Sequence, residues 1–218
     1  MHRLIFFILL LTSFATSAME WNFDVYLDKT KIGTHTFTLS EDGKMLSRAQ
    51  FKVKILFVEA YSYDHISKEE WNSDCLRRID ANTIENKVVT KVSGSQEASL
   101  FNISNGEETQ SLAGCVMTFA YWNPKTLKQS KLLNPQNAEY LSTNITEVGD
   151  EVIEVKGNKI EAKRYKLLAL AAGKSPFEIR DNVAKVKLNI DLWYDQNNNW
   201  VALQSTTPEG YKILYKLK

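Results

Sequence analysis

Residues 188–217 read LNIDLWYDQNNNWVALQSTTPEGYKILYKL. Leu188, Ile190, Leu192 and Tyr194 alternate with Asn189, Asp191 and Trp193, a period of two that sends the two sets to opposite faces of an extended strand. Residues 195–199 are a polar turn, 200–207 resume extended chain, Pro208-Glu209-Gly210 turns again, and 211–217 return. Three strands joined by short turns make an antiparallel meander, and this pattern sets the fold class against which the rest of the chain is read.

The same period recurs toward the amino terminus. Trp21, Phe23, Val25 and Leu27 alternate with Asn22, Asp24 and Tyr26; after Asp28-Lys29-Thr30-Lys31, His35, Phe37 and Leu39 alternate with threonines. A third strand spans about 46–58, ending in the run Ile55-Leu56-Phe57-Val58, apolar on both faces. Tyr61, Tyr63 and His65 open a fourth that reaches Trp71, and 75–79 continue after the Asn72-Ser73-Asp74 turn. Residues 88–92 and 99–103 read as a hairpin about Gly94, and further strands fall at 139–141, 151–155 and 159–170, followed by an ambiguous loop over 171–180.

Between Ser111 and Gln129 the pattern breaks. Leu112, Cys115, Val116, Phe119 and Trp122 recur at helical spacing, which predicts a short helix over 112–122 ended by Asn123-Pro124, with Pro124 opening a further turn through Gln129. The expected fold is therefore mainly β with one helix (α+β). A strongly curved antiparallel sheet or incomplete β-barrel carries that helix on its concave side, around a cavity suited to an apolar ligand.

The first residues read as an address. Arg3 precedes an unbroken apolar run over 4–11, and Thr12, Ser13, Ala15, Thr16, Ser17 and Ala18 follow, the layout of a secretory signal peptide cut after Ala18. Removing 18 of 218 residues leaves one expected domain, 19–218; Arg3 is the only charge lost, so 26 Lys and Arg balance 26 Asp and Glu. No later stretch is apolar enough to span a bilayer, so the product is expected in a periplasm or outside the cell. A neutral chain offers no electrostatic case for nucleic acid or for docking on acidic membranes.

Secretion changes the reading of the two cysteines. In an oxidising compartment Cys75 and Cys115 are expected to form a disulfide; two cysteines are too few for a four-cysteine zinc site, and neither belongs to a C-x-x-C pair. Other chemistry is sparse. His35 and His65 both sit in strand patterns, and there is no G-x-S-x-G elbow, P-loop or dinucleotide fingerprint. His65 and Glu69 share a strand face but lie about 13 Å apart, too far to share a metal. The stretch 195–199 has Trp200 and Thr206 where a calcium loop needs Gly and Glu. The pairs Glu69-Glu70, Glu107-Glu108 and Asp150-Glu151 read as solvated strand ends. No catalytic residue, metal site or cofactor is assigned. The aromatic cluster is the remaining signal, and Trp71, Phe119 and Trp122 are the candidate lining of a ligand cavity.

The block Cys115-Val116-Met117-Thr118-Phe119-Ala120-Tyr121-Trp122-Asn123-Pro124 with Leu132-Leu133-Asn134 resembles the DUF6134 family of uncharacterised bacterial secreted proteins. So do Glu70-Trp71, Cys75-Leu76, Arg164-Tyr165, Ile190-Asp191-Leu192-Trp193-Tyr194-Asp195, Trp200-Val201-Ala202-Leu203 and Ser205-Thr206-Thr207. The stretch 168–187 is longer than the family pattern. The resemblance carries no activity; through the distantly similar DUF3108 envelope proteins it implies a curved-sheet lipid carrier, by analogy of fold. Three functions are weighed. The first is a non-enzymatic envelope protein holding an apolar small molecule or lipid in the hollow of its sheet. The second is an interaction module with a protein partner not named by the residues. The third is a hydrolase or isomerase using His35 or His65 with a carboxylate.

Overall fold

The computed structural model describes residues 18–55, 58–171, 186–207 and 209–218. The strands are β1 (Met19–Leu27), β2 (Thr30–Leu39), β3 (Lys44–Ile55), β4 (Val58–Asn72), β5 (Cys75–Glu85), β6 (Val88–Glu97) and β7 (Leu100–Ser104). They continue as β8 (Thr109–Ala113), β9 (Lys131–Leu133), β10 (Tyr140–Val155), β11 (Asn158–Leu170), β12 (Val186–Asp195), β13 (Trp200–Thr206) and β14 (Lys212–Leu217). Among the described residues all fourteen belong to one sheet, in the order β8-β7-β6-β5-β4-β3-β2-β1-β14-β13-β12-β11-β10-β9. Two meanders thus meet where β1 pairs antiparallel with β14.

Alternating residues and turn chemistry account for most of this. The two-residue turn Asn86-Lys87 has positive φ at both positions, the twist that joins strands tightly, and β5 and β6 pair without interruption beside it. The meander of 188–217 forms as its alternation predicts: Leu192 opposes Leu203, and Leu203 opposes Tyr215. Gly94 is not a turn. It lies inside β6 opposite Ile79 and Ile103, where a Cβ would come within 2.6 Å of Ile103 Cδ1; the reversal falls later, between β6 and β7. Residues 139–141 and 151–155 belong to one long strand, β10.

The expected helix over 112–122 is absent. Leu112 ends up in β8, and residues 115–123, here called the plug, have no regular structure; the described helical element is a 3-10 turn, Pro124–Lys128, capped by Asn123 and running to Gln129. Val116, Met117, Thr118 and Ala120 are buried and Phe119, Tyr121 and Trp122 half-buried, with Cys115 alone in the plug exposed, so the plug has no continuous solvent face and the helical spacing of its apolar residues carried no amphipathic meaning. Val116 and Thr118 are β-branched and Phe119, Tyr121 and Trp122 aromatic, which weakens helix further. Sheet partners take its carbonyls instead. Leu76 N–H donates to Val116 O at 2.9 Å, Leu133 N–H to Met117 O at 2.8 Å, and the Tyr194 hydroxyl to Tyr121 O at 2.7 Å.

Those bonds require the sheet to curl. Leu76 is on β5 and Tyr194 on β12, seven places apart in strand order, or roughly 34 Å in a flat sheet. Val116 and Tyr121, five residues apart, span at most about 18 Å. The sheet therefore wraps around the plug, and one hydrophobic cluster joins Phe23, Phe101, Leu132, Leu167 and Trp200 to Val116 and Met117. The two edge strands, β8 and β9, are consecutive in sequence, and the plug that connects them also bridges to β9 through Thr118 and Leu133. Asn105 Nδ2 donates to Asn137 O at 3.3 Å across the same seam. Among the described residues no helix is long and apolar enough to cross a membrane. The expected leader lies outside the described residues except for Ala18, as do residues 172–180 of the ambiguous loop and the side chains of 55–58.

Candidate functional site

The disulfide forms as expected. Cys75, first residue of β5, is bonded to Cys115, with Cα atoms 4.9 Å apart. It ties a strand to the plug, not to a helix. At the plug's far end Asn123 Nδ2 donates to Asp74 Oδ1 at 3.1 Å, Lys125 Nζ pairs with the same carboxylate, and Thr126 Oγ1 donates to Ala120 O at 2.8 Å. The plug is held at both ends against the β4–β5 turn.

A cleft of about 290 Å³ opens there, lined by Met19, Leu39, Ser40, Glu41, Gly43, Trp71, Ser73 and Trp122. Met19 opposes Leu39 where β1 and β2 pair, and the β2–β3 turn forms one rim. That turn leans directly on the wall. Trp71 N–H donates to Gly43 O at 2.9 Å, and Gly43, at φ +77°, has no room for a Cβ, which would sit 2.6 Å from Trp71 O. Trp71 and Trp122 meet edge-to-face with centroids 5.3 Å apart, and Trp21 lies 6.5 Å beyond Trp122. The structure thus brings two of the three expected lining residues together. Phe119 is elsewhere, packed on Tyr121 at 6.2 Å against the core.

Behind Trp71 lies a group that alternation could have found. Tyr63, His65, Ser67, Glu69 and Trp71 occupy alternate positions of β4 and are all buried. Glu69 is 6% exposed while Glu70 faces solvent, which corrects the reading of this pair as two solvated carboxylates. The parity with Trp71 was the available signal. Trp71 Nε1 donates to Glu69 Oε2 at 3.0 Å, Thr118 Oγ1 donates to the same oxygen at 3.3 Å, and Ser67 Oγ donates to Oε1 at 3.2 Å. Burial pushes the carboxyl up to about 7 against the pull of these three donors.

The histidines meet hydroxyls, not carboxylates. His35 Nε2 lies 2.7 Å from Ser47 Oγ and its Nδ1 3.2 Å from the Tyr215 hydroxyl, and His65 Nδ1 lies 2.9 Å from Thr83 Oγ1. Burial holds His35 well below the ordinary histidine range and pushes His65 down to about 4, so both are neutral at neutral pH. Among the described residues no group of three His, Cys, Asp or Glu side chains could hold a metal ion. A second hollow, of about 320 Å³, lies over β5 to β8; hydroxyls and an amide such as Ser93, Ser95 and Asn102 make half its lining, the charged Arg78 and Asp80 join them, and it has no aromatic wall.

Residues 23–218 match the family described as a domain of unknown function, DUF6134. No curated protein matches the chain. Among solved structures the chain is similar to the beta-barrel-like protein of domain of unknown function DUF1849 from Brucella abortus, at TM-score 0.64 and 10% identity, over 92% of this chain and 95% of that one. At that identity the likeness is one of fold, and it agrees with a sheet curled into a near-closed barrel.

Proposed function

The chain belongs to the DUF6134 family, a domain of unknown function, and from that premise we propose that it is a non-enzymatic binding protein of the cell envelope whose cleft takes a small apolar group. The observation that carries this reading is the wall of two indoles, Trp71 and Trp122, beside Met19 and Leu39 in a cleft of about 290 Å³. That volume is at the lower end for small-molecule sites, which combine apolar walls with a few polar groups, here Ser40 and Ser73. It suits an aromatic ring or the end of an acyl chain. A whole lipid enclosed in the sheet fits less well, because the plug fills the space the helix was expected to leave open.

Neutral histidines bonded to hydroxyls, His35 half-buried and His65 buried, support a structural part for both over acid–base chemistry. The disulfide and the secretory layout of residues 1–18 favour a location outside the cytoplasm, periplasmic or secreted. Titration with N-phenyl-1-naphthylamine, a neutral apolar fluorophore, tests the reading. Saturable binding that quenches tryptophan emission and is lost in Trp122→Ala is expected. Binding unchanged in Trp122→Ala, or none in the wild type, overturns it.

A further inference from the structure

Glu69 takes no part in the binding reading, yet among the described residues it is the one buried carboxylate of β4. Its partners come from both sides of the cleft. Oε2 accepts from Trp71, on the wall, and from Thr118, in the plug four residues before Trp122; Oε1 accepts from Ser67. Trp71 and Trp122 are the two indoles that face each other. One oxygen atom therefore registers the wall against the plug.

Building on the cleft reading, we propose that Glu69 is a positioning residue of the cleft: its carboxyl clamps Trp71 and Thr118 together and so sets the spacing of the two indoles that meet a ligand. The groups around it leave the clamp electrically alone. Met45 on β3 and Ile79 on β5 face Glu69 and carry no charge. His65 and Tyr63, further along the same face of β4, are held neutral by burial. The Asp74–Lys125 pair lies at the plug's far end and Glu41 at the cleft rim. Burial brings the carboxyl up to about 7, so it changes charge near neutral pH. Protonated, it must turn one oxygen into a donor; Oε1–H can donate to Ser67 Oγ while Oε2 goes on accepting from both of its donors. Ionised, it is a buried charge with hydrogen bonds and no counter-ion among the described residues, which tightens its hold on both donors. The spacing of the indoles is then a function of proton concentration.

The experiment follows the indole Nε1–H resonances of Trp71 and Trp122 by NMR, each assigned by its loss in a Trp→Phe variant, from about pH 5.5 to about pH 8.5. In the wild type both resonances are expected to move together with one midpoint near neutrality. In Glu69→Gln neither moves. In Thr118→Val, Trp71 still titrates and Trp122 does not, so a Glu69→Gln chain that fails to fold leaves the proposal testable. The affinity for N-phenyl-1-naphthylamine is expected to change about two- to tenfold over the same range, the worth of one net hydrogen bond, and to be flat in Thr118→Val. Static resonances, or a transition that persists in Glu69→Gln, overturn the clamp; so does an affinity that stays constant while the resonances move. Absence of naphthylamine binding at every pH overturns the cleft reading alone, and the indole resonances still decide the role of Glu69.

Discussion

Two regions of this chain are built on opposite terms. The meander β12–β14 is a run of strands whose shape is implied by its own residues: Ile190, Leu192 and Tyr194 turn to the core because every second residue must. The plug, 115–123, has no shape of its own. Its carbonyls are taken by β5, β9 and β12, and past Cys115 its side chains are buried or half-buried among strands that lie far apart in sequence. A strand can be read locally because it has a wet face and a dry one; a segment buried all round has no face to read.

The largest effect expected from this contrast lies in the meander. Trp200, 1% exposed and packed on Phe23 with centroids 4.4 Å apart, is core on the locally encoded side. Trp200→Ala is expected to lose about 3–5 kcal/mol in urea denaturation, since truncating a buried aromatic removes transfer energy and leaves a cavity. A loss under about 1 kcal/mol would break the comparison at its stronger end.

Next comes the covalent tether of the plug. Cys75 and Cys115 are 40 residues apart in sequence, and the chain-entropy account gives such a loop about 4 kcal/mol as an upper value. Replacing both by Ala is expected to lose roughly 2–4 kcal/mol. Amide exchange should rise in 115–123 and at Leu133 well before it rises in β13. Uniform loosening would mean that the plug and the sheet are one unit after all.

The titration of Glu69 gives a pH-dependent version of the same test. Its folded value, about 7, lies above the unfolded 4.5. The folded state therefore holds the proton more tightly, and the stabilisation is fully present below about pH 4.5 and lost as pH rises through about 7. The difference amounts to about 3 kcal/mol at most. Stability of wild type relative to Glu69→Gln should decline over that window and level off above it; a flat difference refutes the raised value. Thr118→Val is the smallest change. It removes one buried hydroxyl from Oε2 and is expected to lose about 1 kcal/mol, nearly all of it on the ionised side of the transition.

How far the residues disclosed this fold follows from the same contrast. Most strands of both meanders, their antiparallel pairing and the disulfide were legible, because alternation, turns and two cysteines in a secretory setting are local signals; the short edge strands β8 and β9 and the continuity of β10 were not. Trp71 and Trp122, expected to share a cavity wall, lie together in one cleft, whereas Phe119, counted with them on a helical stripe, packs on Tyr121. The helix failed because spacing of Val116, Phe119 and Trp122 measures burial, and here every position past Cys115 is buried or half-buried, whichever way it points. Gly94 was misplaced because a glycine inside a strand, kept small by the approach of Ile103, carries the same letter as one in a turn. Glu69 was passed over by composition, since paired acids are usually solvated, although its parity in β4 put it with Trp71.

The seam of the barrel bears on a hazard separate from any ligand. An open sheet ends in strands whose outward amides invite strands from other chains, and such growth leads to fibres. Here the β9 edge is met by the plug, with the Leu133 amide spent on Met117, and the β7–β8 hairpin is stitched to the far side through Asn105. The stretch without regular structure thus acts as a selvedge, finishing the woven edge of the sheet. Reducing one disulfide would be expected to fray that edge first, and aggregation on reduction, before any global unfolding, is what a frayed selvedge predicts.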